Sequence, residues 1–82
     1  MPDIVFLDTE TTGLDEFEHV VIDIWAERRR LPGLDLVASA GGLVAVTPDE
    51  IAAASPEALR VNGYTSERWD DAEEWETVWP SV

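Results

Sequence analysis

The apolar positions of the chain fall into a few short runs. Ile4-Val5-Phe6-Leu7 is uninterrupted between Pro2 and the turn residue Gly13, and a continuous rather than alternating run predicts a strand buried on both faces. His19-Val20-Val21-Ile22-Asp23-Ile24-Trp25-Ala26 is β-branched and aromatic with partial alternation, which predicts a second strand with one wetter face, ended by Arg28 to Arg30. Leu31-Pro32-Gly33-Leu34 carries a Pro-Gly turn signal. Beyond it, the apolar residues from Leu36 to Thr47 are interrupted by Gly41-Gly42, the pattern of one bent or bulged strand.

The second half of the chain carries helix signals. Thr47-Pro48-Asp49-Glu50 has a cap, a proline at the first helical position and the glutamate of a capping box. Ser55-Pro56-Glu57-Ala58 repeats that signature, and Val61-Asn62-Gly63-Tyr64 breaks the helix it starts. Thr65 or Asp71 is then expected to cap a last helix running toward Trp79, with Pro80 as its stop. Trp69, Ala72, Trp75 or Glu76, and Trp79 recur on it at nearly helical spacing, predicting an inward aromatic stripe, with the acidic run from Glu67 to Glu76 facing water. The expected class is α/β: a three-stranded, mostly antiparallel sheet with one or two helices, in a single domain.

Composition narrows the chemistry. The 82 residues hold 18 acids and five bases, a formal net charge of −13, with 45% hydrophobic residues and four Trp. That much apolar content supports a folded core despite the charge, although so short a chain buries only about 60% of its unfolded surface. With no cysteine, disulfides, thiolate metal sites and cysteine nucleophiles are excluded. The apolar runs are too short to cross a bilayer, so no membrane association and a cytoplasmic location are expected. All five bases are Arg, three of them at Arg28, Arg29 and Arg30, so no broad cationic surface exists to neutralise a row of phosphates. A nucleic-acid ligand would need help from a metal ion.

The sharpest chemistry lies in Asp8-Thr9-Glu10-Thr11-Thr12-Gly13-Leu14. Side chains alternate along an extended chain, so Asp8 and Glu10 project from one face at the end of an apolar strand. Two carboxylates so close repel unless a cation lies between them, and a hard divalent ion, Mg2+ or Mn2+, suits oxygen ligands. A pair of such ions roughly 3.5–4 Å apart clamps the attacking water and the leaving oxygen of a phosphodiester. Asp8 is the natural bridging ligand between them. Read without this context, an Asp-x-Glu pair simply caps a strand and solvates a turn.

The segment from Ile4 to Leu14 resembles the first motif of the DEDD exonuclease superfamily, most closely the DnaQ-like 3′-5′ exonucleases with a ribonuclease H-like fold. Val21-Ile22-Asp23-Ile24-Trp25-Ala26 is similar to the second strand of that family, and Pro56 to Thr65 resembles the segment before its first long helix. The resemblance implies that Asp8 and Glu10 are the catalytic metal ligands. It also implies that the Thr9, Thr11 and Thr12 backbone and the Leu14 side chain meet the terminal nucleotide of a single-stranded DNA 3′ end, Leu14 wedging against the last base.

The same resemblance calls for a further Asp and then a His or Tyr with a final Asp from later helices, and these 82 residues do not supply them. His19 does not fill the gap: the family's histidine stands five residues before its Asp, whereas Ile24 is five after His19 and Asp23 is four after it. His19 therefore reads as an ordinary loop histidine. Asp15, Glu16 and Glu18 read as solubilising charge, and Asp23 as a strand residue that faces water or caps a neighbour. Half a catalytic site is expected, with weak metal binding and little nuclease activity from these residues alone. In the implied fold the first strand would lack its later neighbour and the cover of the later helices, so Val5, Phe6 or their neighbours are expected to be exposed. The chain is then expected to self-associate through that strand, to bind a second polypeptide that supplies the rest or to be a fragment of a longer protein. The alternative reading is a non-catalytic acidic interaction protein, partner-binding or mimicking the phosphate row of DNA.

Overall fold

A computed structural model describes residues 2–15 and 18–82; the charge read at Glu16 lies outside them. The chain is a small α/β domain built on a three-stranded antiparallel sheet with short helices. Its elements are β1 (Asp3–Thr11), β2 (Val21–Arg30), β3 (Asp35–Leu43), α1 (Pro48–Ala52), α2 (Pro56–Val61) and α3 (Trp75–Val78). The sheet order is β1-β2-β3, so β2 alone has neighbours on both sides.

The second strand ends at the arginines, as expected, and takes all three in as its last residues. Arg28 and Arg30 are held by Asp3 across the ladder at 2.9 and 3.2 Å, and Arg29 by Glu27 at 3.0 Å, so charges that would repel on an isolated strand are largely offset within the sheet. The third strand stops at Leu43, earlier than expected, and its register shift falls opposite Arg28 and Arg29 rather than at the glycine pair. Gly41 serves close approach: its φ is +146°, and a Cβ there would overlap the Ile24 carbonyl and lie 2.8 Å from Trp25 Cα.

The core gathers on one face of the sheet, at one end. Ile22, Ile24 and Ala26 alternate along β2 and are buried with Val44, Ala54 and Trp69, as a period of two requires. The Ile22 carbonyl accepts both the Val44 amide, at 2.9 Å, and Trp69 Nε1, at 3.0 Å. Trp69 thus closes the core with its ring and satisfies its N–H at the same time. A Cβ on Gly42 would touch Val78 at 3.6 Å, so α3 packs closely over β3.

Two helix starts are as the sequence predicts. Thr47 and Glu50 form the reciprocal capping box, and Ser55 caps α2 through the Ala58 amide. The single long helix toward Trp79 does not form. Thr65 still accepts the Arg68 amide at 3.0 Å, but residues 66–71 are turns. Glu73 is drawn into a parallel bridge with Val44, its carbonyl accepting the Ala45 amide at 2.8 Å. Pairing with the end of the sheet replaces the helical bonds here, leaving only the four residues of α3. The stripe divides accordingly: Trp69 is 7% exposed, whereas Trp75 and Trp79 are 37% and 53% exposed and lean on each other with centroids 5.1 Å apart.

The first strand is not buried on both faces as its continuous apolar run predicts; it is exposed, as expected where the cover of later elements is missing. Val5, Phe6 and Leu7 are 53%, 49% and 56% exposed. As an edge strand β1 has one neighbour, and the helices lie over the other end of the sheet. No helix among the described residues is long and apolar enough to cross a membrane.

Candidate functional site

Asp8 and Glu10 lie on β1 two positions apart, opposite Trp25 and Asp23 of β2. Directly opposed residues share a face, so Asp8, Glu10 and Asp23 stand on one side of the sheet, away from the core face that carries Ile22 and Ile24. Asp8 and Glu10 are exposed, and neither is ion-paired among the described residues. Farther along this face the charges are already matched. Glu27 accepts Trp25 Nε1 at 3.3 Å and Arg29 Nε at 3.1 Å. The Trp25 hydrogen bond first, and Arg29 second, hold its carboxyl below the usual value. The negative charge left without a counter-charge along β1 is therefore that of Asp8 and Glu10.

Past Glu10 the chain leaves the sheet through Thr11 and Thr12, and its polar groups are taken up internally. Thr11 Oγ1 donates to the Gly13 carbonyl at 2.7 Å, and the Thr11 carbonyl accepts Asn62 Nδ2 at 2.9 Å. Thr12 is fully buried: its amide donates to the Val20 carbonyl, its hydroxyl accepts the Val20 amide, and its carbonyl accepts the Ser55 amide at 2.7 Å. Thr9 is exposed and Leu14 fully so. His19 braces this loop, accepting the Asp15 amide on Nδ1 at 2.8 Å and placing Nε2 3.2 Å from the Ala53 carbonyl. Its ring covers Gly13, where a Cβ would overlap it.

An open groove runs beside Thr9, Glu10 and Leu14, walled on the other side by Ser55, Ala58 and Asn62. In the sequence, Ser55 and Asn62 signal only the start and break of a helix. Their second role, tying α2 to the end of β1, has no local signal because it joins positions 51 residues apart. The place of Asp23 across from Glu10 depends on strand register, which an isolated strand pattern does not encode.

Asp8 and Glu10 supply the hard oxygen donors that Mg2+ or Mn2+ prefers. Among the described residues, however, no three His, Asp or Glu side chains assemble into a group that would hold a metal ion. The donor type fits such an ion and the donor number does not complete its site. Compared with known proteins, the chain matches no family model and no curated protein.

Proposed function

We propose that the chain carries the first-motif segment of a metal-dependent DnaQ-like 3′-5′ exonuclease, with a ribonuclease H-like lineage and single-stranded DNA ends as substrate, and that residues outside these 82 complete its site. One observation carries the reading: Asp8 and Glu10 share an exposed face at the end of β1, in the sequence context Ile4 to Leu14 on which the resemblance rests. A divalent ion held there would activate water and polarise a phosphodiester. Asp8 and Glu10 are its ligands in this segment. The full exposure of Leu14 beside the groove supports its role of pressing against a terminal base, and Thr9 offers backbone groups next to Glu10. Thr11 and Thr12 act by holding this loop on α2 and on Val20. Alone, the segment is expected to bind metal weakly and to cleave little.

The test is manganese titration of isotope-labelled protein. Paramagnetic broadening should centre on the amides around Asp8 and Glu10 and disappear in Asp8→Ala and Glu10→Ala. Identical broadening in parent and variants overturns the reading.

A second reading, an acidic interaction protein, is favoured by the exposed apolar residues of β1 together with the charge of −13. If the acids imitate a phosphate row, partner affinity should fall steeply with salt; if the apolar edge binds, it should not.

A further inference from the structure

β1 has one bonded side and one open side, and its hydrogen bonds show which residues face which. The Leu31 amide donates to the Pro2 carbonyl at 3.1 Å, extending the register that pairs Asp3 with Arg30. Bonding alternates along an antiparallel ladder, so Ile4, Phe6, Asp8 and Glu10 exchange bonds with β2, while Asp3, Val5, Leu7 and Thr9 turn their N–H and C=O groups outward. At Thr11 the outward carbonyl is already taken by Asn62 Nδ2. The open edge therefore ends there. Between Asp3 and Thr9 it has no proline, no lysine and no bulge, the features that usually protect an edge.

Charge narrows the occupant. β1 contains three acids and no base. Asp3 is neutralised by Arg28 and Arg30, which leaves Asp8 and Glu10 on one face, while Val5 and Leu7 are the exposed apolar residues of the other. A second copy would bring the same uncompensated acids and another net charge of −13. We propose that the open edge of β1 receives an extended basic segment of another polypeptide, which adds a strand beside Val5 and Leu7 with apolar side chains on their face and arginine or lysine beside Asp8 and Glu10. This does not rest on the nuclease reading, since here the two carboxylates are met by a basic side chain.

The probe is a short synthetic peptide of alternating arginine and valine added to isotope-labelled protein, with amide hydrogen exchange read residue by residue. Exchange at Val5 and Leu7 should slow about tenfold, while Ile4 and Phe6, already bonded to β2, change little. A peptide with glutamate in place of arginine, and one with N-methylated backbone amides, should give no such protection. An Asp8→Lys, Glu10→Lys double variant should reverse the preference between the arginine and glutamate peptides. No protection by the arginine peptide, or equal protection at Phe6 and Leu7, overturns the proposal. So does sedimentation as a dimer with Val5 and Leu7 already protected before peptide is added, which assigns the edge to a second copy. The peptide controls leave the protein unaltered, so the result does not depend on the folding of the variant.

Discussion

β1 and β2 are neighbours in one sheet, both read as apolar, and their surroundings are opposite. Ile22, Ile24 and Ala26 of β2 are buried, whereas Ile4 to Leu7 of β1 are all 40% or more exposed. The amino acids do not account for this, since isoleucine occurs in both. Position does: β2 is flanked by two strands and covered by Trp69, while β1 has one neighbour and an uncovered outer half. One strand therefore supplies stability, and the other presents surface, an outward backbone edge and two carboxylates with no ion-pair partner among the described residues.

The contrast is broken most directly at Trp69. Trp69→Ala removes a ring packed on Tyr64 at 5.1 Å and the N–H bonded to Ile22, and should cost about 3–5 kcal/mol in urea denaturation, enough to unfold a marginal domain. Trp69→Phe should cost much less, because the Ile22 carbonyl keeps the Val44 amide. A mild effect of the alanine variant would mean that the core is not centred there. Next in size, Gly41→Ala places a Cβ against Ile24 at a φ of +146° and should lose about 1–3 kcal/mol, read as a lower thermal midpoint. On β1 the expectation reverses. Leu7→Thr should change stability by no more than about 0.5 kcal/mol, and a core-sized loss would show that the edge is covered.

The smallest effect is on pH dependence at the far end of the sheet. The hydrogen bond from Arg30, then that from Arg28, holds the Asp3 carboxyl below its ordinary value of 3.8, against an opposing effect of burial. A carboxyl lowered in the folded state stabilises the fold above its unfolded value, and that contribution is lost as pH falls through the lowered one. Asp3→Asn should therefore be slightly less stable than the parent at neutral pH and converge with it in strong acid. Parallel stability curves down to low pH would exclude a role for this ion-pair cluster.

Much of the fold was legible in short stretches. The caps at Thr47 and Ser55, the break at Asn62-Gly63 and the turn after Leu31 each depend on a few adjacent residues whose side chains bond their own backbone, so their composition suffices. The last helix misled because its tryptophan spacing suits a helix, while Val44, 29 residues before Glu73 in the chain, offers that residue a strand partner instead. Of the candidate site, the shared face of Asp8 and Glu10 was readable from alternation. Asp23 opposite Glu10, and Asn62 closing the edge at Thr11, were not.

The sequence by itself determined the three strands and the two capped helices, the pairing of Asp8 with Glu10 on one face and the large negative charge, because these depend on period, local caps and composition. Only the tertiary structure decided which apolar strand is covered, where the free edge of β1 ends and which acids retain an unmatched charge. Those depend on strand order and on contacts between distant segments, and a run such as Ile4 to Leu7 has the same sequence pattern whether or not anything is laid against it.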